Sequence, residues 1–542
     1  MIKKLLILAI LVFVSIPSFA QSVDTAWVRR YNGPGNSDDD ARAVAIDSWG
    51  NVYITGWSYG SGTYFDYATI KYSSNGDTAW VRRYNGPENG SDRAYAIAVD
   101  DSGNVYVTGY SYDSITWKDY ATIKYDSNGN ELWVKRYDGG AGDDQATSIK
   151  VDGSGNVYVT GGSGFDYATI KYSPKGDTAW VRRYCGPVWG CFAVDIAVDR
   201  FGNAYVTGIS DSMKQDYATI KYDPNGNELW VRRYNGPGNS DDNARAVAID
   251  SSGNVYVTGY SYDSTTSKDY ATIKYDSNGN ELWVRRYNGP GNSDDDARAV
   301  AIDSWGNVYI TGWSYGSGTY FDYATIKYYP NGDTAWIRTY NGTGNSDDYA
   351  TALNIDAYGN VYVTGESRGS GTDYDYTTIK YDPDGNQLWE KRYNGPGDSS
   401  DYAYAIAVDG SGNAYVTGES WGSGTGYDYA TIKYSKKNEV KDETGSREKP
   451  SEFTLSQNYP NPFNQSTKIE FALSQSGFVN LTIYDLLGRR IKTLVSENLN
   501  LGYKSMFWDG KDDSGKEVSS GIYFYRLKIG DYSEAKRLVL LK

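Results

Sequence analysis

The 542-residue sequence contains no histidine, and this absence excludes the most common catalytic and metal-binding chemistry. Histidine is the usual general base and the usual transition-metal ligand, so Ser-His and Cys-His catalytic pairs are ruled out. Basic charge is also scarce, since the formal net charge is -15, whereas nucleic acid binding needs a basic surface. We therefore expect no nucleic acid partner and no cofactor other than weakly bound calcium.

Long hydrophobic runs are missing as well. The longest extends from Leu5 to Val14, follows Lys3-Lys4 and precedes Ser18-Phe19-Ala20. It is too short for a membrane span, which needs about 20 residues, and its flanks are those of a secretory signal peptide. We predict a signal peptide over residues 1–20 and no transmembrane segment in the mature chain. The expected location is therefore secreted or on the outer cell surface.

Cysteine is nearly absent. Cys185 and Cys191 are the only two, and they stand six residues apart in one loop. In an exported chain this spacing predicts either a local disulfide or two neighbouring thiols.

The sequence does contain a strong internal repeat. Eight tryptophans each open a Trp-Val-Arg-Arg-Tyr-like string at intervals of about 50 residues. They are Trp27, Trp80, Trp133, Trp180, Trp230, Trp283, Trp336 and Trp389. Residues 28–72 and 284–328 are identical.

Each copy contains four strand-length runs rich in Val, Ile, Thr, Tyr and Trp. In the first copy the Trp string is followed by Ala41-Arg-Ala-Val-Ala-Ile-Asp47, Gly50-Asn-Val-Tyr-Ile-Thr-Gly56 and Asp66-Tyr-Ala-Thr-Ile-Lys-Tyr72. Four short strands per repeat are the pattern of a propeller blade. The sequence therefore predicts an all-β protein with an eight-bladed β-propeller over residues 21–434, with the alanine-rich strands nearest the axis and the tryptophan strands outermost.

The ends of the array predict how the propeller closes. The array starts with a tryptophan strand, residues 25–31, and ends with the third strand of a repeat, residues 431–434. We therefore expect the N-terminal strand to complete the sheet formed by residues 403–434.

The strings Gly-Asn-Val-Tyr-Val-Thr-Gly and Asp-Tyr-Ala-Thr-Ile-Lys-Tyr, with Asn-Gly turns between units, resemble the bacterial beta-propeller repeat (SBBP) family found on secreted proteins. The resemblance covers about residues 24–434. The resemblance implies the propeller fold but no particular activity, because propellers as a class host unrelated activities.

The long loops, such as residues 32–40 and 57–65, are predicted to lie together at one end of the sheets, and tight turns such as 47–51 at the other. Aromatic residues in these loops either offer rings to a ligand or pack over neighbouring blades. The candidate ligand-binding residues are Trp57, Tyr59, Tyr64, Tyr110, Tyr112, Trp117, Tyr260, Tyr262, Trp313, Tyr315, Tyr320, Trp421 and Tyr427.

Acidic residues precede the alanine-rich strands. They either cap backbone amides in the loops or hold calcium weakly. The weak metal candidates are Asp38, Asp39, Asp40, Asp294, Asp295 and Asp296.

A charged stretch over residues 435–452 predicts a linker, and the alternating strands of residues 453–542 predict an immunoglobulin-like β-sandwich.

The tail contains Asn458-Tyr-Pro-Asn-Pro-Phe-Asn464, Ile483-Tyr-Asp-Leu-Leu-Gly-Arg489 and Ser520-Gly-Ile-Tyr-Phe-Tyr-Arg526. These strings resemble the type A C-terminal sorting domain of type IX secretion substrates, which is similar to the immunoglobulin-like domain of flagellar hook-capping proteins. The resemblance implies passage through the outer membrane, with the secretion machinery as a partner and Asn458, Tyr459, Pro460, Asn461, Pro462, Phe463 and Asn464 as the sorting motif.

Three functions fit these features. The leading hypothesis is a monomeric, non-enzymatic binding scaffold that recognises an extracellular glycan or protein through weak repeated sites. A structural spacer of the surface layer is the second. A polysaccharide-active enzyme is the third and is disfavoured, since no unique carboxylate pair stands out in the sequence.

Overall fold

The computed structural model describes residues 23–140, 142–185, 190–210, 214–436, 452–458, 461, 463 and 466–541. The predicted signal peptide (1–20), most of the predicted linker (437–451) and four residues of the predicted sorting motif (Tyr459, Pro460, Pro462 and Asn464) lie outside the described residues. The chain divides into two compact units, one ending at Lys436 and one following it.

The described residues of the first unit form 32 strands. The first sixteen are β1 (Val23–Tyr31), β2 (Asp39–Ile46), β3 (Val52–Tyr59), β4 (Phe65–Tyr72), β5 (Thr78–Tyr84), β6 (Asp92–Val99), β7 (Val105–Asp113), β8 (Trp117–Tyr125), β9 (Glu131–Tyr137), β10 (Asp144–Val151), β11 (Val157–Ser163), β12 (Asp166–Tyr172), β13 (Thr178–Tyr184), β14 (Phe192–Val198), β15 (Ala204–Ser210) and β16 (Asp216–Tyr222). The others are β17 (Glu228–Tyr234), β18 (Asp242–Ile249), β19 (Val255–Asp263), β20 (Ser267–Tyr275), β21 (Glu281–Tyr287), β22 (Asp295–Ile302), β23 (Val308–Tyr315), β24 (Phe321–Tyr328), β25 (Thr334–Tyr340), β26 (Asp348–Ile355), β27 (Val361–Arg368), β28 (Tyr374–Tyr381), β29 (Gln387–Tyr393), β30 (Asp401–Val408), β31 (Ala414–Gly422) and β32 (Gly426–Lys436).

These strands form eight four-stranded antiparallel sheets. Seven sheets use consecutive strands, as in β2-β3-β4-β5, and the eighth has the order β1-β32-β31-β30. In the eighth sheet Val28 pairs with Ile432 and Tyr31 with Tyr429. The first strand of the array therefore belongs to the same sheet as its last three strands.

The sheets meet along their alanine-rich strands. β2 contacts β6, β6 contacts β10, and the contacts continue through β14, β18, β22, β26 and β30, which in turn contacts β2. Each of these strands carries one alanine with no exposed surface, as at Ala41 and Ala94. Small side chains suit this position because they let neighbouring backbones approach closely.

The tryptophan strands pack between neighbouring sheets. The Trp27 ring lies 5.9 Å from Tyr72 in the next sheet and 6.0 Å from Tyr415 in its own sheet. Arg29 Nε donates a hydrogen bond to the Gly76 carbonyl of the next sheet, and Arg30 pairs with Asp428 at 2.8 Å. Both arginines of the string thus have partners within the protein.

An aspartate recurs within the first three residues of the third strand of each repeat, as Asp66 does in β4, and it forms an ion pair in most copies. In seven of the eight sheets the second arginine of the tryptophan string contacts it, as Arg83 contacts Asp66 at 2.7 Å. The sixth sheet carries Thr339 instead, and burial raises the pKa of its aspartate, Asp322.

The loops are shorter than the sequence predicted. The structure ends β3 at Tyr59 and begins β2 at Asp39, so the two connections are residues 60–64 and 32–38. The reason is local: Asp39, at the start of β2, accepts hydrogen bonds from the N–H groups of Gly33 and Tyr59 and so extends the strand pairing. The antiparallel strand order places both connections at the same end of the sheet, opposite the tight turns.

The second unit is a two-sheet sandwich. Its strands are β33 (Thr454–Leu455), β34 (Thr467–Leu473), β35 (Gly477–Asp485), β36 (Arg490–Leu499), β37 (Gly502–Trp508), β38 (Gly521–Ile529) and β39 (Tyr532–Leu540). The sheets β33-β34-β37 and β36-β35-β38-β39 share one hydrophobic core around Trp508. Asn458 and Phe463 are buried in it, and Asn461 Oδ1 accepts a hydrogen bond from the Val539 N–H. The described residues of the predicted sorting motif therefore support the sandwich.

The described residues form strands and turns, and no helix among them is long and apolar enough to cross a membrane.

Candidate functional site

Every alanine-rich strand contains a β-bulge at the same position. In β2 the register shifts between Ala41 and Ala43, which leaves Arg42 as the extra residue. Bulges re-aim a side chain and are frequent beside binding and active sites. The eight bulge residues are Arg42, Tyr95, Thr147, Val194, Arg245, Arg298, Thr351 and Tyr404.

A glycine stands opposite each bulge. In the first sheet it is Gly56, and a Cβ added there would collide with the carbonyl oxygen of Asp40. The same collision arises in the other seven sheets, as at Gly161 against the carbonyl of Gln145. The Thr-Gly step of the repeat is therefore required by the close approach of two backbones.

Six of the eight bulge residues line one cavity of about 590 Å³, here named the bulge cavity. Its lining residues are Arg42, Val194, Arg245, Arg298, Trp313, Tyr349, Ala350, Thr351, Glu366 and Tyr404. They come from six of the eight sheets. The volume lies within the range of small-molecule sites.

Arginines dominate the charge of the bulge cavity. Asp296 Oδ2 accepts contacts from Arg245 at 3.1 Å and from Arg298 at 3.2 Å, so two guanidinium groups share one carboxylate. Arg42 contacts Asp40. Burial lowers the pKa of Arg298, because its charge is removed from water.

Two glutamates belong to the same region. Glu366 Oε2 is shielded from solvent and has no hydrogen-bond partner among the described residues. Burial raises the pKa of Glu366 to about 8, so this side chain is mainly neutral at pH 7. Glu419 accepts a hydrogen bond from the Tyr404 hydroxyl at 2.6 Å, and burial raises its pKa as well. Both glutamates occupy the repeat position that Trp57 holds in the first copy.

Aromatic rings surround these charges. The Arg42 guanidinium carbon lies 4.5 Å from the centre of the Trp57 ring and 4.0 Å from that of Tyr404, an arrangement of cation–π contacts. Trp313 and Tyr349, 5.8 Å apart, begin a series of ring contacts that continues through Tyr374, Tyr402, Tyr427 and Trp421.

The thirteen predicted aromatic residues have different environments. Trp57, Tyr110 and Tyr260 are buried, whereas Tyr64, Trp117, Tyr320 and Trp421 are exposed. The remaining rings are half-buried, namely Tyr59, Tyr112, Tyr262, Trp313, Tyr315 and Tyr427. Of the thirteen, Trp313 lines the bulge cavity.

The six candidate metal ligands all have protein partners. Asp39 and Asp295 each accept one backbone N–H from the connection before the strand and one from the last residue of the next strand, as the capping interpretation predicts, and burial raises the pKa of each to about 6. Asp40 and Asp296 contact arginine. Asp38 accepts the Tyr427 N–H, and Asp294 accepts the Ser267 hydroxyl. Calcium binding remains a prediction.

The two cysteines meet in the fourth repeat. The sulfur atoms of Cys185 and Cys191 lie 2.9 Å apart, beyond the roughly 2.05 Å of a disulfide bond. They occupy the positions of Asn32 and Asp39 in the first copy, where the Asp39 carboxylate closes the loop onto Gly33. A disulfide here would close the same loop covalently, and it remains a prediction.

Sequence reasoning missed most of the bulge cavity. Arg42, Arg245, Arg298, Glu366 and Tyr404 were not singled out, although each stands at a repeat position where the eight copies differ. That variation is the signal that would have found them.

Comparison with known proteins gives matches to both units. A Beta-propeller repeat family model matches residues 26–62, 79–115, 229–264, 282–318 and 389–424. A FlgD Ig-like domain model matches residues 457–531. The regulatory protein FlaEY of Caulobacter vibrioides is 31% identical over 112 residues, which cover 18% of this chain and 11% of that protein.

The solved structures that match this chain have low sequence identity to it. PorZ, an essential bacterial surface component of the type-IX secretion system of Porphyromonas gingivalis, has a TM-score of 0.39 and 14% identity, over 93% of this chain and 71% of PorZ. A protein from Lactobacillus plantarum has a TM-score of 0.41 and 12% identity, over 65% of this chain and 96% of its own. A gluconolactonase from Xanthomonas campestris has a TM-score of 0.30 and 13% identity, over 54% and 86%.

The strand order and the family matches together show that this all-β chain carries beta-propeller repeats followed by a FlgD Ig-like domain.

Proposed function

We propose that this protein is a non-enzymatic binding scaffold that holds an extracellular glycan in the bulge cavity and at the long-loop end of its sheets. The observation that carries the proposal is the convergence of residues from variable positions of the repeat. The bulge position holds Arg, Tyr, Thr or Val in different copies, and six of the eight bulge residues line one cavity. A scaffold that only spaced a surface layer would not need this divergence.

The lining suits a sugar. Trp313 and Tyr349 supply flat rings on which a pyranose face can stack. Arg298 supplies hydrogen-bond donors for sugar hydroxyl groups, and the Thr351 and Tyr404 oxygens, whose hydrogens are donated within the protein, can accept hydrogen bonds from them. A cavity of about 590 Å³ has room for a short stretch of a glycan chain.

The binding site depends on the closure of the array, and we propose that the eight sheets are the blades of a closed eight-bladed propeller. The pairing of β1 with β32 and the contact of β30 with β2 support this closure. With the ring closed, Arg42 of the first sheet and Tyr404 of the last become neighbours.

A paired substitution tests glycan binding. We expect Trp313→Ala to weaken binding to glycans identified on an array by at least about tenfold, because the stacking platform is lost. Trp305→Ala is the matched control: this tryptophan is 56% exposed on a tight turn at the opposite end, so its loss should leave the affinity unchanged. Titration calorimetry on the full chain measures both, with thermal melts to check folding. Equal weakening by both variants, or the absence of any glycan ligand, would contradict the proposal.

We also propose that residues 1–20 are a signal peptide and that the second unit directs secretion by the type IX route. The sequence motifs at both ends of the chain support this route. In a host with type IX secretion, the full chain should reach the cell surface or medium, and a chain ending at residue 434 should remain in the periplasm. Surface delivery of the shortened chain would refute the sorting role.

A further inference from the structure

The lining of the bulge cavity is basic, which is unusual in a chain with a net charge of -15. Its charged residues are Arg42, Arg245, Arg298 and Glu366. Arg42 contacts Asp40, whereas Arg245 and Arg298 share the single carboxylate of Asp296. Burial disfavours the cationic form of Arg298, and an anionic ligand group would give Arg245 and Arg298 a second carboxylate.

Glu366 adds a second, independent observation. Its Oε2 is buried and has no hydrogen-bond partner among the described residues, although the side chain lines the bulge cavity. A buried polar atom without a partner costs about 1–3 kcal/mol, and a ligand can remove that cost. A neutral carboxyl group offers an O–H donor, which a ligand carboxylate would accept.

We infer that the bulge cavity binds a hexuronate residue of an acidic glycan, with its carboxylate at Arg245, Arg298 and Glu366 and its ring against Trp313 and Tyr349. This inference rests on the proposed function and specifies its ligand class. A carboxylate suits the site because the planar arginine fork donates two parallel hydrogen bonds to a carboxylate. Neutral sugars would gain the ring contacts but would not bring a second carboxylate to Arg245 and Arg298.

The test compares each acidic oligosaccharide with its own methyl ester. Tetramers of galacturonate, glucuronate and mannuronate are titrated into the full chain at pH 6.5, each as free acid and as methyl ester. The ester keeps the ring and removes the charge, so it is a matched control on the ligand side. We expect at least one free acid to bind about tenfold or more tightly than its ester.

Two variants locate the effect on the protein side. Arg298→Gln should abolish the preference for the acid over the ester, whereas Lys175→Gln, an exposed lysine of a tight turn, should preserve it. Both remove one positive charge, so a difference between them reports on the bulge cavity rather than on net charge.

The pH dependence gives a further readout. Ionisation of Glu366 near pH 8 places a negative charge beside the ligand carboxylate, so affinity should fall as the pH rises from 6.5 to 9. Glu366→Gln cannot ionise and should keep its affinity across that range. The charged and titratable groups that act on Glu366 are Arg298, Arg42, Glu419, Tyr323, Tyr349 and Tyr374.

The outcomes separate the inference from the proposed function. Equal binding of acid and ester, or stronger binding of a neutral or sulfated oligosaccharide, overturns the uronate assignment and leaves glycan binding in place. Failure of every glycan to bind overturns both.

Discussion

Replacing Gly161 with alanine should lower the free energy of unfolding of the first unit by about 3 kcal/mol, at the upper end of the cost of overpacking. The added Cβ would collide with the carbonyl oxygen of Gln145, which belongs to the backbone of the neighbouring strand and cannot rotate away. β10 and β11 must therefore separate at the bulge. Denaturant unfolding followed by tryptophan fluorescence measures the loss.

Gly153 is the matched control, because it lies in the same repeat and a Cβ there would meet no atom within 4 Å. Its φ is also outside the left-handed region, so alanine is sterically permitted. We expect Gly153→Ala to change stability by no more than about 0.5 kcal/mol. Similar effects of the two substitutions would show that the close approach of the two backbones at the bulge does not require a glycine.

The repeat made most of the fold predictable. Strings such as Gly50-Asn-Val-Tyr-Ile-Thr-Gly56 carry their own strand and turn signals, and eight copies reinforce each assignment. The array starts with a tryptophan strand and ends one tryptophan strand short, and this also predicted which strands pair. Both predictions need only the local sequence and the number of strands in each repeat.

The bulge cavity was not predictable in the same way. The run Ala41-Arg-Ala-Val-Ala-Ile has the pattern of an ordinary alternating strand, because a bulge becomes visible only against the register of its partner strand. Glu366 and Glu419 were not predicted for a related reason. Each stands at the repeat position where the first copy has Trp57, and only the arrangement of the sheets shows that this position lies beside the bulge cavity.

The aromatic residues show where the loop prediction was wrong. Trp57 was assigned to a loop, but β3 continues to Tyr59 and the Trp57 ring is only 6% exposed, with Arg42 and Arg93 against it. The buried carboxylate of Asp39 holds the two strand ends together, and this long-range hydrogen bonding is not apparent from a local string.

Removal of β1 should have the largest effect on stability, because it opens the proposed ring. The strand buries Trp27 between two sheets, and one buried tryptophan alone contributes up to about 4–6 kcal/mol. It also supplies the Arg30 ion pair with Asp428 and the backbone ladder with β32. The total loss is comparable with the whole stability of a typical domain, about 5–15 kcal/mol.

If a chain without β1 does not accumulate in the expression host, a point variant gives the same information. Trp27→Ala in the full chain should lower the melting temperature clearly, whereas Trp49→Ala should not, because Trp49 is 62% exposed on a tight turn. Equal effects of the two would argue against the role of β1.

The bulge cavity and its proposed ligand both depend on the proposed closure of the ring, and calorimetric melting of two shortened chains tests this closure most directly. One chain begins at Val23 and retains β1, and the other begins at Asn32 and lacks it. We expect the first to melt cooperatively at the temperature of the full chain and the second to melt far lower or to lose its cooperative transition. Equal melting temperatures for the two chains would contradict the closure of the eight sheets by the N-terminal strand.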